Sequence, residues 1–252
     1  MKISDHLKTF WSCLGFLSII PAGRGEILTP EEFGRFPAYY PLVGLVFGLD
    51  MFILWLLTSP LLPAGASAII VVAFMITVNR GFHIDGLADA ADALLSHKSH
   101  EEKLRILKDS RQGTFGVLAI VFDVLIKVEF VALVAPIAPW VLILWPVWGR
   151  LAASVIAVRG VYAGQDNGLG RWMVEKSTMR ELFIAALFTF LLSLFGGWMG
   201  LIAALTALGC GFLFNQIWKP LLGGVTGDLL GATIELTEII TLAIFSILIQ
   251  IV

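Results

Sequence analysis

Residues 64–99, AGASAIIVVAFMITVNRGFHIDGLADAADALLSHKS, begin as an apolar run and end in a segment carrying three carboxylates. A helix that crosses a hydrocarbon core of about 30 Å at about 1.5 Å per residue needs roughly 20 mainly apolar residues. Residues 64–81 approach that length, and six further stretches share their character: 40–57, 115–135, 140–158, 181–195, 199–218 and 229–252. The 181–195 stretch is short. Ahead of them all, residues 6–21 form an apolar segment ending at Pro21, with His6 and Lys8 at one end and Trp11 placed for the headgroup level, which reads as an interfacial helix. The expected fold is all-α: a polytopic membrane helix bundle of about seven transmembrane helices plus that N-terminal interfacial helix. No internal repeat divides the chain, so residues 1–252 are read as a single integral membrane domain.

Composition supports the bilayer as solvent. The chain is 58% hydrophobic and 14% charged, against about 45–50% and about 25% in soluble domains. A net charge of −2 leaves no clustered basic face for nucleic acid. Cys13 and Cys210 lack the spacing of a zinc site and read as packing residues. The start, MKISDHLKTFW, has no small-residue cleavage site after a clean apolar core and does not read as a removable signal.

Orientation follows from the loops, because Lys and Arg are retained on the cytoplasmic side. The turns 59–63, 136–139 and 196–198 hold none. The N-terminal segment, residues 82–114, residues 159–180 and Lys219 together hold 14 of the 17 basic residues, always on alternate loops. Seven spans, with the N-terminus and the polar working face cytoplasmic and the C-terminus outside, satisfy every one of them.

Three polar clusters fall on that face. In the first, Asp85, Asp89 and Asp92 stand at i, i+4 and i+7, on one helical stripe within about 60°. Like charges in a row repel, and Ala rather than Lys or Arg fills positions 88, 90, 91 and 93. Hard oxygen ligands at a membrane boundary suit Mg²⁺, or Mn²⁺, shared with substrate phosphates. A merely solvated acidic face would carry Lys and Glu instead. His83 is read as a substrate ligand, a proton carrier or a cap of the span. The second cluster, LKDSRQGTFG at 107–116, offers Asp109 as a further ligand and Arg111 as a fork for phosphate. Ser110, Gln112 and Thr114 lie with it at a helix start that favours anions; the alternative is a helix cap and charge anchor. The third, GGVTGDLLGATIELTE at 223–238, carries Thr226 and Asp228, with Glu235 on the face of Asp228 and Glu238 beyond. Acidic residues within a span are costly and should face a polar interior. Asp50, Asp123, Lys127, Glu129 and Arg150 also fall within spans. Asp123 and Lys127 are spaced to neutralise each other, while Arg150 could pair with an acid or reach substrate.

Together, GFHIDGLADAADALLS, DSRQGTFGVLA followed by Lys127, and GGVTGDLLGATIELTE resemble the cobalamin synthase family, the adenosylcobinamide-GDP ribazoletransferases. The likeness spans about residues 33–240, and Ala93 stands where a typical member has Gly. It implies a Mg²⁺-dependent, multi-pass enzyme of the inner (cytoplasmic) membrane. Such an enzyme joins adenosylcobinamide-GDP to α-ribazole or its 5′-phosphate and releases GMP. The metal role would fall on Asp85, Asp89 and Asp92. Asp109, Ser110, Thr114, Thr226, Asp228 and Glu235 are then read as substrate-binding, and Asp92, His83 and Arg111 as catalytic, with Asp92 or His83 taking the proton of the attacking hydroxyl. Expected partners are the two substrates and membrane lipid, with room for a homo-oligomer and for association with other enzymes of the pathway. Two rivals remain at this point. A CDP-alcohol phosphotransferase shares the chemistry but needs a second Asp three residues before Asp85, where Phe82 stands. A transporter, the reading that the intramembrane charges motivate, would gather its polar groups near the midplane, whereas here the densest polar sequence lies on one side.

Overall fold

The computed structural model describes residues 3–23, 28–109, 111–164 and 169–251. Its elements are helical, two short 3-10 turns (Phe36–Ala38 and Leu194–Gly196) and the α-helices α1 (Ile3–Leu17), α2 (Pro30–Phe33), α3 (Tyr40–Thr58), α4 (Ala64–Val78), α5 (Phe82–Leu95), α6 (His100–Ile106), α7 (Thr114–Val134), α8 (Val141–Arg159), α9 (Leu169–Lys176), α10 (Met179–Ser193), α11 (Gly197–Leu222) and α12 (Gly227–Ile251). Among the described residues the only β-type pairing is an isolated bridge between Tyr162 and Val225. The chain is thus an all-α bundle with the apolar spans of a multi-pass membrane protein.

All seven expected stretches are helical, but they do not qualify equally as spans. Four runs are long and apolar enough to cross a bilayer: α3, α8, residues 179–222 and α12, with α4 and α5 supplying a fifth if taken as one bent span. The differences from seven have physical causes. Helices α4 and α10 have only 15 residues each, and α10 joins α11 into one continuous apolar run. Helix α7 is long enough but carries Asp123, Lys127 and Glu129. The expected interfacial segment is α1, which leaves Leu7 and Trp11 exposed while Cys13, Leu14 and Leu17 are buried.

Helix α8 is the axis of the bundle, buried along nearly its whole length and packed by α3, α10, α11 and α12. Without a hydrophobic drive between helices inside lipid, close approach depends on small residues. Gly44 and Gly48, four apart on α3, provide it: a Cβ at Gly48 would lie 2.2 Å from the Ile143 carbonyl oxygen, and one at Gly44 2.7 Å from that of Pro146. Gly211 of α11 likewise rests on Ala152 and Val155.

Helices α4 and α5 meet at 87°. Arg80 and Gly81 both take positive φ, 60° and 68°, and Asn79 Oδ1 accepts the Gly81 amide at 3.0 Å. A non-glycine residue in that region is strained, so Arg80 marks a turn imposed by its surroundings. The turn takes α5 off the axis of α4. We read α4 as the span and α5 as lying outside it, across the ends of α7 and α12, on both of which it packs.

Candidate active site

The three polar clusters come together where α5, the start of α7 and the start of α12 meet. The α5–α12 seam is made backbone to backbone. A Cβ on Gly86 would lie 2.5 Å from the Asp228 carbonyl oxygen, and one on Gly231 would lie 3.0 Å from the Cα of His83. The loop before α12 is fixed by the Tyr162–Val225 bridge, with Val225 N donating to Val161 O at 2.8 Å and Ala163 N to Val225 O at 3.0 Å. Thr226 Oγ1 is the first cap of α12, accepting from Leu229 N at 3.4 Å and lying 3.4 Å from Asp228 Oδ2.

Along the acidic stripe the three carboxylates have different surroundings. Asp85 is exposed, Asp89 half-buried and Asp92 buried. Gln112 bridges the first two, its Nε2 lying 3.5 Å from Asp85 Oδ1 and 3.1 Å from Asp89 Oδ1. Burial raises the Asp89 carboxyl to about 6, with Asp85, Asp228 and Asp92 pushing in the same direction and the Gln112 bond opposing them. Asp92 has turned away to another task. Its Oδ2 accepts the Gly113 amide at 2.6 Å and its Oδ1 the Gly116 amide at 2.9 Å. These are orphan donors of the first turn of α7, which has no side-chain cap of its own. The expectation of Asp92 as both metal ligand and base therefore meets a carboxylate with both oxygens held by backbone.

Other expected residues are also spread out. Asp109 and Arg111 bond each other, Nη2 to Oδ2 at 2.7 Å and Nε to Oδ1 at 3.0 Å, at an exposed position. That pairing holds the Asp109 carboxyl down to about 2. Thr114 opens α7 and is exposed, and Ser110 lies outside the described residues. Glu235 is buried beside Lys127, to which it is ion-paired, and its Oε1 is 3.9 Å from His83 Nδ1. Lys127 also meets Asp123 at 3.2 Å and Glu238 at 3.1 Å, and Arg150 Nη1 donates to Glu238 Oε1 at 2.9 Å. Asp123, Lys127, Glu235, Glu238 and Arg150 thus form one connected cluster, and the expected Asp123–Lys127 pair is one limb of it.

Two cavities open beside the carboxylates. One, of about 340 Å³, is lined by His83, Asp85, Arg150 and Asp228 among mainly apolar side chains. The other, of about 590 Å³, is lined by Arg105, Lys108, Tyr162, Thr226 and Asp228. Gly170, Gly227 and Asp228 border both. Arg105 and Lys108 drew attention in the sequence only as orienting charges; their regular spacing on the loop carries no mark of a cavity. Among the described residues no three His, Cys, Asp or Glu side chains converge tightly enough to hold an ion alone. Asp85 and Asp89 nonetheless form a two-carboxylate donor set with an amide N–H group between them, where a positive charge is favoured.

Fold and site together define a multi-pass α-helical membrane protein whose polar chemistry is gathered at one set of helix ends. Its residues 9–246 match the cobalamin-5-phosphate synthase family, and the chain belongs to that family of transferases. Similar proteins include the adenosylcobinamide-GDP ribazoletransferase of Clostridium kluyveri (strain NBRC 12016), 34% identical over 98% of this chain and 99% of its own. Those of Alkaliphilus metalliredigens, 36% identical over 92% of each chain, and Acinetobacter baumannii, 35% identical over 95% and 97%, are also similar. No solved structure matches.

Proposed function

We propose that this enzyme transfers the adenosylcobinamide phosphate of adenosylcobinamide-GDP to α-ribazole, or to α-ribazole 5′-phosphate, with release of GMP. The observation that carries the reading is the meeting of two unlike cavities at Asp228, beside Asp85 and Asp89. A transfer between two large substrates needs two sites with the reacting phosphate between them. In the reaction a ribose hydroxyl oxygen of the acceptor bonds to the phosphorus attached to cobinamide, the pyrophosphate bond breaks, and its electrons leave with GMP.

Mg²⁺, or Mn²⁺, suits Asp85 and Asp89, with Asp228 the nearest further carboxylate. Hard cations of this kind take one or two carboxylates and fill their remaining positions with phosphate oxygens and water. When bound, the ion neutralises pyrophosphate charge and stabilises the leaving phosphate. Gln112 then orients the two carboxylates, while Asp92 holds the first turn of α7 and so fixes Gln112. Arg105 and Lys108 attract the diphosphate arm. His83, close to Glu235 and lining the apolar cavity, is the candidate to receive the hydroxyl proton. Arg111 acts at the rim, where its release from Asp109 would let it reach an incoming phosphate.

The Lys and Arg residues of loops 82–114 and 159–180 support a cytoplasmic position for this face, at the inner membrane. The test is incubation of the purified protein in liposomes with adenosylcobinamide-GDP, α-ribazole 5′-phosphate and Mg²⁺. GMP release is expected, and CMP release from a CDP-alcohol in its place would overturn the reading.

A further inference from the structure

Away from the carboxylates, α1, the 3-10 turn before α3 and the first turn of α10 enclose a small pocket lined by His6, Arg35, Tyr39, Arg180, Glu181 and Ile184. It shares no lining residue with the two cavities described above. Two guanidiniums and an imidazole thus arrive at one place from three separate parts of the chain. His6 Nδ1 and the Tyr39 hydroxyl share a hydrogen bond of 2.6 Å. Burial raises the ionisation of that hydroxyl while Arg35 and Arg180 both oppose it, so both guanidiniums lie within its electrostatic reach. The acids nearby are committed elsewhere. Glu31 meets Lys176 at 3.2 Å, and Glu32 meets Lys8 at 3.1 Å. Glu181 is buried, and its Oε2 accepts from Thr178 N and Oγ1 at 2.9 and 2.6 Å, closing the cap of α10. Among the described residues neither Arg35 nor Arg180 has a carboxylate within ion-pair distance. Two like charges at one place repel, and a bound anion removes that cost.

We infer that this pocket binds the headgroup phosphate of an anionic phospholipid, with Arg35 and Arg180 donating to its oxygens. The position of the pocket identifies the anion. Tyr39 immediately precedes α3, and Arg180 is the second residue of the apolar run 179–222; both runs are long and apolar enough to cross a bilayer. The pocket therefore lies where two spans leave water, the depth of lipid phosphates, and basic pockets between helices at that depth suit headgroups. Its size points the same way. At about 20 Å³ it encloses little more than a water molecule, whereas sites that hold soluble small molecules run to about 300–1,000 Å³. A lipid needs no enclosure, because its tails stay in the bilayer. A surface for one of those tails runs down α10 from Arg180: Phe183, Leu187 and Leu191 follow at helical spacing and are exposed. On α1, Leu7 beside His6 is exposed as well. A zwitterionic headgroup would bring an ammonium against the two guanidiniums, so the lipid that fits carries net negative charge. Each guanidinium also supplies the planar fork that phosphate oxygens accept from.

Native mass spectrometry of the full chain, purified in detergent and supplied with equal amounts of phosphatidylglycerol and phosphatidylcholine, tests the site. The wild type should retain phosphatidylglycerol in preference, and the double variant Arg35→Gln, Arg180→Gln should bind it about tenfold or more weakly. Removing the same charge from the α6 region by Lys98→Gln with Lys103→Gln should leave the preference unchanged. Equal melting temperatures of the three proteins in phosphatidylcholine show that all are folded. Where the double variant does not fold, Arg180→Gln alone, at an exposed position, should weaken retention about threefold or more. Equal retention of the two lipids by the wild type would overturn the inference, as would a preference that survives the arginine substitutions or falls equally with the lysine ones. Displacement of phosphatidylglycerol by inorganic phosphate would assign the pocket to a soluble anion and overturn it too.

Discussion

At the scale of single residues, Asp89 and Asp92 are neighbours on one helix with opposite consequences when removed. Asp89 has a carboxyl raised to about 6, so below that pH a proton competes with a bound cation. The Mg²⁺ concentration needed for half-maximal rate should rise about tenfold per pH unit below 6, measured by Mg²⁺ titrations of GMP release between pH 5 and 8, and Asp89→Asn should lower the rate at least ~100-fold. The effect on stability has the other sign. The folded protein takes up this proton before the unfolded chain does, so the metal-free fold gains stability as pH falls through 6 towards the ordinary carboxylate range. Asp92→Ala, in contrast, strips two amides of their acceptor, at about 1–3 kcal/mol each. Gly116→Val, whose Cβ would lie 2.5 Å from Asp92 Oδ2, should cost about 1–3 kcal/mol. Both should lose thermal stability in detergent together with activity. An Asp92→Ala protein of wild-type stability whose Mg²⁺ dependence had changed would make Asp92 a ligand after all. The acidic stripe was legible because i, i+4, i+7 spacing is local, whereas the role of Asp92 was not, since its partners are main-chain amides of Gly113 and Gly116, and backbone groups have no letter in a sequence.

Among elements, α7 and α12 are joined by charge. Lys127 serves Asp123, Glu235 and Glu238, and Arg150 shares Glu238. Lys127→Met should destabilise the protein by about 3–5 kcal/mol, because it leaves buried carboxylates without a counter-charge. Adding Glu235→Gln should restore part of the loss, as coupled neighbours do, with monodisperse yield in detergent and melting temperature as the measurements. These charges also explain why the helices could be found from sequence more readily than their roles as spans. Hydrophobic length identified all seven stretches, but the pairing that makes the buried Lys127 of α7 tolerable lies more than a hundred residues away. The glycines Gly44 and Gly48 stood in plain view as a pair four apart; nothing local says that their partner is the backbone at Ile143 and Pro146. The same holds for Gly86 and Gly231, which let α5 and α12 touch.

For the whole molecule, the basic loops predict an even-handed arrangement: a cytoplasmic N-terminus and working face, and a C-terminus across the membrane. Alkaline phosphatase, which folds only outside the cytoplasm, should be active when fused after α12 and inactive when inserted near Lys98. The reverse pattern would invert the topology. Composition made the membrane class readable, since it is a sum over many residues, and loop charge carries the sidedness that the fusions would test. The two cavities were not readable, because Arg150 of α8, His83 of α5 and Met173 of α9 become neighbours only through packing. The charge cluster has one more consequence, in the order of synthesis. When α7 leaves the ribosome, Lys127 has only Asp123 to meet it; Glu235 and Glu238 arrive with α12, the last described helix. A charged residue at mid-membrane costs about 2.5–3.5 kcal/mol on insertion scales. Helix α7 is thus a provisional guest in the bilayer until α12 has been made, and the site whose loop it anchors is completed only then. A cysteine placed by V131C, at a position buried in the finished fold, should react with a water-soluble thiol reagent in chains stopped before Gly227 and be shielded in the full chain.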